Sequence, residues 1–241
     1  MPEPLKNRYN KRFVSDLSAE IKKEYSAFDT EGFTQSIFDK SWKDEELKQR
    51  MRHITESLHQ FLPANYKKAL AILKPVSSKF SGFEPMFFPD YVECYGLDDF
   101  DASISALETF TKYSSSEFAV RPFIIRHEKK MMAQMKKWSV SKNHHVRRLS
   151  SEGCRPRLPW AMSLPKYIDD PEPVLAILLT LLEDDSEYVR RSVANNLNDI
   201  AKDHPEIIFK ITKQYIGRSE NTDKLLKHAC RTLLKQGNTK D

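Results

Sequence analysis

The feature that most narrows the fold of this chain is a recurrence. His145-Val146-Arg147-Arg148 returns as Tyr188-Val189-Arg190-Arg191 after 43 residues, inside the roughly 40–47-residue period of HEAT-type helix pairs. A four-residue echo alone would carry little weight, but its surroundings repeat as well. Asp170-Pro171 opens a helix whose stripe of Val174, Leu175, Leu178, Leu181 and Leu182 can bury one face. Asp184-Asp185-Ser186 then caps a partner that buries Val189, Val193, Leu197 and Ile200, a spacing close to the helical period. A third unit starts at Asp203-His204-Pro205, carries Ile207, Ile208, Ile211 and Tyr215, and has a partner with Leu225, Leu226, Ala229 and Leu233. Helix pairs of this kind stack on their neighbours only. The pattern therefore predicts an all-α, HEAT-like repeat α-solenoid with a concave face.

The first 113 residues share the helical period. Phe13, Leu17 and Ile21 form one apolar stripe, Phe33, Ile37 and Phe38 a second, and Leu47, Met51, Ile54, Leu58 and Leu62 a third, with charges between them. Phe61-Leu62-Pro63 is expected to end the third helix and start the next, with the proline in its first turn. Tyr66, Leu70 and Leu73 continue that helix until Lys74-Pro75 breaks it. Residues 75–100 are rich in aromatics and punctuated by Pro85 and Pro89. They read as short packed helices, because a base-stacking surface calls for interleaved cations. Ile104, Leu107 and Phe110 face inward on a helix over 101–113. Ser114 and Glu117 have the spacing of a capping box, and Pro122 predicts that the following helix is short or kinked. One helical domain over 1–241 is expected, with N-terminal helices to 113 and site-bearing repeats from 114.

Charge says more than overall composition. The chain carries net +5, yet residues 118–160 hold eleven Lys/Arg against Glu128 and Glu152 alone, net +9, so the remainder is acidic. Such a basic stripe is the footprint of a polyanionic partner, nucleic acid first. The three cysteines, Cys94, Cys154 and Cys230, are distant and lack CxxC spacing. They point to a reducing compartment without disulfides or a zinc site. The opening Met-Pro-Glu-Pro-Leu-Lys has no signal-like apolar core, and no apolar run approaches the length of a membrane span. A cytoplasmic, nucleoid-associated protein is expected.

The stripe ends in Asn143-His144-His145-Val146-Arg147-Arg148-Leu149-Ser150-Ser151-Glu152-Gly153-Cys154-Arg155-Pro156-Arg157-Leu158-Pro159-Trp160. Its first half is repeat grammar. From Glu152 it departs into a run of cations, prolines and a tryptophan, whereas the sister copy continues its helix from Asn195. The adjacent His144 and His145 point in different directions on a helix, and no third ligand is suitably spaced, so a metal site is not expected. Together with Leu47-Lys48-Gln49-Arg50-Met51-Arg52-His53, Leu62-Pro63-Ala64-Asn65-Tyr66, Tyr95-Gly96-Leu97-Asp98-Asp99 and Ser115-Ser116-Glu117-Phe118-Ala119-Val120-Arg121-Pro122-Phe123, the motif resembles AlkC-type DNA alkylation repair glycosylases, relatives of the AlkD type. The resemblance runs over most of the chain. It implies a HEAT-like solenoid that removes cationic N3-alkylated bases in base excision repair without flipping them into a pocket. The substrate it implies is chiefly 3-methyladenine, with 3-methylcytosine as a further candidate. It also implies double-stranded DNA as partner, with no cofactor, no membrane and a monomeric working state. Some members append an immunoglobulin-like domain; none is expected here, because the last residues are not strand-rich.

Alkylation at N3 makes the base a cation and a good leaving group, so it needs no protonation. What remains is to stabilise positive charge growing on the deoxyribose and to place a water at its anomeric carbon, and a nearby carboxylate does both. Glu152 is the first candidate; its ordinary role would be an i, i+4 partner of Arg148. Asp199, on the matching helix of the next repeat, could stack beside it, or could be a plain polar position near a helix end. Glu117 is a third candidate, with helix capping as its competing role. Trp160 could lie against the cationic base or sugar, or pack in the core. Arg148, Arg155, Arg157 and Arg147, with Lys142 and Arg121 as weaker candidates, would grip phosphates. No lysine lies between Arg147 and Trp160 to form a Schiff base, so the expected enzyme is monofunctional. Two other readings stay open: an AlkD-like glycosylase for 7-methylguanine or bulky adducts, and a non-catalytic HEAT-repeat DNA-binding protein.

Overall fold

The computed structural model describes residues 3–237, and every regular element among them is helical. They form two compact units that part between Ala119 and Val120, six residues beyond the boundary expected at 113.

The first unit holds α1 (Lys11–Glu24), α2 (Thr30–Ile37), α3 (Leu47–Phe61), α4 (Tyr66–Ser77), α5 (Phe87–Tyr95) and α6 (Phe100–Phe110), with short 3-10 turns at Leu5–Arg8 and Glu84–Met86. Side-chain caps start most of these helices: Asn10 accepts from the Phe13 N–H, Asp29 from Gly32, Asn65 from Lys68 and Asp99 from Ala102. Each satisfies a backbone donor the helix cannot satisfy itself. At α3, Glu46 and Gln49 form a reciprocal capping box. The apolar stripes face inward as the period requires, with Leu17, Ile21, Phe33, Ile37, Ile54 and Leu58 fully buried. Phe13 is only half-buried, meeting Tyr9, Phe80 and Phe87 edge-on, and Val14 fills the core position beside it.

Three local expectations fail here for backbone reasons. Pro63 does not begin a helix, because Asn65 supplies the cap and α4 starts at Tyr66. Pro75 does not break α4 but sits in its last turn, where only one hydrogen bond is lost. The turn is sealed by the Ser77 and Ser78 hydroxyls, which donate to the Lys74 and Pro75 carbonyls at 2.7 Å each. Ser114 and Glu117 form no capping box, because residues 111–119 are turn and loop.

The second unit holds α7 (Val120–Arg126), α8 (Glu128–Trp138), α9 (His144–Glu152), α10 (Pro165–Asp169), α11 (Glu172–Leu181), α12 (Glu187–Ile200), α13 (Pro205–Tyr215), α14 (Glu220–Ala229) and α15 (Arg231–Lys235). Helix α9 packs on α8 and α12, α12 on α11 and α14, and α13 on α14, the neighbour-only contacts of stacked helix pairs. Pro122 lies in the first turn of a seven-residue α7, as short as its position predicts. Val146, Leu149, Val189, Val193 and Leu197 are completely buried, each contributing about 1.5–3 kcal/mol through apolar burial.

The recurring Val-Arg-Arg has a structural cause. Arg147 Nη1 donates to the carbonyls of Ser141 and Lys142 at 2.9 and 3.2 Å, and Arg190 Nη1 donates to those of Asp184 and Asp185 at 2.6 and 2.9 Å. In both copies the first arginine folds back to hold the turn that precedes its own helix. Arg147 also grips the Asp184 carboxylate through two bonds of 2.6 and 2.9 Å. Asp184 in turn accepts the Ser186 N–H at 2.8 Å, so one ion pair joins consecutive repeats. Burial alone would raise the Asp184 carboxyl, but Arg147 and the Ser186 N–H outweigh it and hold it below its ordinary value. A lowered folded-state pKa contributes stability that is present above the ordinary carboxylate value and lost as pH falls through the folded one. Asp184→Asn is accordingly expected to cost about 3 kcal/mol in urea unfolding at pH 7. The gap to wild type should close as pH drops below about 4; a gap independent of pH would contradict the pairing.

Candidate active site

The site begins where the repeat stops. Helix α9 spans 9 residues against 14 in α12. Gly153 caps it in a place that tolerates no side chain: a Cβ there would lie 2.5 Å from Val120 Cγ2 and 3.1 Å from Met135 Cε. With α9 pressed this close to α7 and α8, the chain turns into a loop carrying Pro156 and Pro159, which lack the N–H a helix would need.

That loop is tied to itself and to a buried cation. The Leu164 N–H donates to the Pro156 carbonyl at 3.0 Å. Arg121, fully buried, donates through Nε to the Met162 carbonyl at 2.7 Å and through Nη1 to those of Gly153 and Arg155 at 3.0 and 2.8 Å. The sequence reading placed Arg121 among the phosphate-gripping cations. The structure gives it no exposed surface with which to do so, and it shapes the loop from beneath. At the tip, Trp160 has φ +63° and is 67% exposed. A non-glycine residue in the left-handed region costs on the order of 1–3 kcal/mol and persists only where its surroundings over-determine it. Core packing, the competing role for Trp160, does not describe an indole this open.

Behind the loop, the interface of α9 with α12 carries a ribbon of buried polar groups. Glu152, 4% exposed, accepts from Arg155 Nη1 at 2.6 Å and from the Ser192 hydroxyl at 2.6 Å. Arg148 Nη2 stands 3.5 Å from the same carboxylate. Asp199, 2% exposed, accepts from Arg155 Nε at 2.9 Å and pairs with Lys202 at 3.3 Å. One guanidinium therefore bridges the two carboxylates the sequence singled out. Burial disfavours the Arg155 cation, but Glu152 and Asp199 prevail and raise its pKa. Ser151 and Ser192 share a hydrogen bond of 2.7 Å, and the Asn196 amide donates to the Ser151 carbonyl at 2.7 Å. Cys154 is enclosed completely, its thiol pushed up to about 12 by burial, which leaves it unreactive.

The predicted phosphate contacts are distributed differently from the expectation. Arg155 serves the carboxylate pair, Arg147 serves Asp184 and the turn carbonyls, and Arg157 forms a two-bond ion pair with Asp203. Arg148 stacks over the Tyr188 ring at 4.9 Å while reaching toward Glu152. Lys142 is exposed, and its carbonyl accepts from Arg147. Glu117 belongs to the first unit, where its carboxylate accepts from the Ser115 hydroxyl at 2.6 Å. His144 and His145 pack against each other and edge-on to Tyr188. Among the described residues no group of three His, Cys, Asp or Glu is placed to hold a metal, and no helix is long and apolar enough to cross a membrane.

Sequence reasoning missed Ser192, Tyr188, Asp184 and Asp203. A usable signal was present: the partners Ser151–Ser192, Arg155–Asp199, Arg157–Asp203 and Arg147–Asp184 lie 41, 44, 46 and 37 residues apart. Stacked repeats bring residues about one period apart into contact, so complementary groups at that offset are candidate pairs.

Residues 93–233 match the family model described as DNA alkylation repair enzyme, and the chain belongs to that family. It is 50% identical over 233 residues to the uncharacterized protein YhaZ of Bacillus subtilis strain 168, covering 97% of this chain and 65% of that protein. It also superposes, with TM-score 0.94 and 41% identity, on Pseudomonas fluorescens alkylpurine DNA glycosylase AlkC, solved bound to DNA containing an abasic site analog. That match covers 98% of this chain and 66% of the solved one. The chain thus spans about two thirds of the length of these relatives. An all-helical repeat fold is common to this chain and that structure.

If Arg155 bridges two buried carboxylates, its loss strands both. Arg155→Gln is expected to destabilise the protein by about 3–5 kcal/mol. Arg155→Lys should recover only part of this, since an ammonium cannot offer two donors in a fixed plane. Urea unfolding midpoints measure both; an unchanged midpoint for Arg155→Gln would remove the bridge from the account.

Proposed function

We propose that this chain is a monofunctional DNA N-glycosylase of the AlkC type that excises cationic N3-alkylated bases, 3-methyladenine foremost and 3-methylcytosine next, from double-stranded DNA at the bacterial nucleoid. The observation that carries the reading is the pair of carboxylates on adjacent repeats, Glu152 and Asp199, bridged by Arg155 behind a loop that presents the exposed Trp160 in strained backbone. The fold gives this pair a fixed spacing, and fixed charge stabilises a transition state better than charge that must reorganise.

In this reading the alkylated base leaves as a neutral molecule and the deoxyribose develops oxocarbenium character. Glu152 and Asp199 supply the opposing charge, and one of them orients the attacking water. Trp160 lies against the cationic base or sugar by cation–π attraction, which needs no base extrusion. Glu117 is a candidate for the same electrostatic role. The enzyme acts as a monomer without a cofactor. No lysine stands in the 147–160 motif, and Lys202, the lysine that meets the carboxylate pair, is engaged by Asp199 at 3.3 Å; in this reading the enzyme makes no Schiff base and leaves the strand uncut.

Incubation with methylated DNA, with released bases resolved by chromatography, should yield 3-methyladenine. Glu152→Gln should reduce release by roughly 10²-fold or more, and Glu117→Gln tests the third carboxylate separately. A 7-methylguanine product would instead indicate an AlkD-like range, and DNA binding without release would leave a non-catalytic binding protein. Trp160→Gly separates chemistry from packing: it relieves the backbone strain, so stability should hold or rise by up to about 1 kcal/mol while release falls at least tenfold. A loss of stability with activity retained would return Trp160 to a structural role.

A further inference from the structure

The cations of the 147–157 motif are largely committed to carboxylates and carbonyls within the protein, which raises the question of where a DNA strand is held. A second basic surface lies one repeat further along, outside the stripe of residues 118–160. Helices α12 and α14 enclose a cleft of about 360 Å³ lined by Arg190, Arg191, Asn221, Lys224 and His228, with Glu187 as the acid in its wall. Arg191 is exposed and, among the described residues, forms no ion pair. Lys224 meets Glu220 in a fully solvated pair, and an exposed pair of this kind is worth little and is easily exchanged for a stronger anion. Half-buried His228 is held by Asn195 at 2.9 Å. Its proton affinity is lowered by burial first and then by the neighbouring cations Arg231 and Arg191.

The repeat places this cleft relative to the active site. At the 43-residue period Arg191 is the counterpart of Arg148, and Asn195 the counterpart of Glu152. The cleft therefore presents the same helix face as the carboxylate site, displaced by one helix of the stack. Packed helices lie roughly 8–10 Å apart, and a DNA strand advances about 3.4 Å per nucleotide along the axis. One helix step thus spans two to three nucleotides.

We propose that the α12–α14 cleft is a seat for a DNA backbone phosphate two to three nucleotides from the lesion, with Arg191 and Lys224 as its charged donors and Asn221 and His228 completing it. This rests on the glycosylase reading for its ligand, but not for its geometry. The seat anchors the strand while the motif's own arginines hold the catalytic carboxylates.

The test is binding of full-length protein to a duplex carrying an abasic-site analogue, followed by fluorescence anisotropy over a range of salt concentrations. Arg191→Gln/Lys224→Gln should weaken binding roughly tenfold or more and reduce the slope of log affinity against log salt by about 0.9, the value for one lost phosphate contact. Lys210→Gln, at an exposed position on α13 outside the cleft, should leave the slope within error. An equal fall there would mean that net charge alone is read, which overturns the seat. Neutral methylphosphonates placed singly along each strand should weaken wild-type binding at one position two to three nucleotides from the lesion, and the double variant should be indifferent to that substitution. If both proteins respond alike at every position, the seat is wrong. Replacing chloride with millimolar inorganic phosphate at constant ionic strength should leave DNA affinity unchanged, and specific competition would reassign the cleft to free phosphate. Wild type that excises bases while the double variant keeps its affinity and slope sinks the seat alone; wild type that neither binds nor excises sinks the glycosylase reading with it.

Discussion

The second unit depends on one buried guanidinium. Arg155 lies between Glu152 and Asp199, each carboxylate almost wholly enclosed. Charges removed from water are costly unless paired with good geometry, and removing one partner from such a set costs more than the set contributes to stability. The planar fork of arginine satisfies both acids at once by donating through different nitrogens. That single requirement accounts for several other features. Helix α9 must stop early so that Arg155 can turn back toward α12, Gly153 must be small enough to let it stop there, and Arg121 must hold the carbonyls of the departing loop. Ser192 completes the arrangement by binding the oxygen of Glu152 that Arg155 leaves open.

This division of labour changes how the charge of the chain is read. A net +9 over residues 118–160 has the look of a DNA-facing stripe, yet Arg121, Arg147, Arg155 and Arg157 all meet internal acceptors. Their counter-ions, Asp184, Asp199 and Asp203, lie in the acidic remainder of the same chain. A linear count of charge cannot distinguish a cation that neutralises a buried acid from one that faces solvent, because the two differ only in what is folded against them. The cations still available for an anionic ligand are those, such as Arg191, that lack a partner of this kind among the described residues.

Strain concentrates at the same place as the charge. Trp160 takes a left-handed backbone conformation that a bulky residue avoids, and the closure between Pro156 and Leu164 together with the Arg121 bonds keeps it there. Comparable economy shows in the ordinary repeats, where Arg147 and Arg190 perform the same turn-holding task at the same relative positions. The duplicated motif is thus a structural module, and the departure that begins at Glu152 is superimposed on it.

Much of this was legible in the residue order. Helical period, caps and the 43-residue recurrence are local or nearly local properties, so they determined the all-α repeat class and most helix positions, while the departure from the repeat after Arg148 singled out Glu152 and Trp160, and with them Asp199, as candidates. Local misreadings were also local in origin: Pro75 fell in a last turn that tolerates it, and Ser114 had no helix to cap. What only the tertiary structure decided is pairing across the stack. That Arg155 joins Glu152 to Asp199, that Arg121 is buried, and that Ser192 belongs to the site all depend on which helix faces lie opposite each other at roughly one period's separation. Electrostatic energy is set by distance and burial in three dimensions, and sequence reports only the distance along the chain.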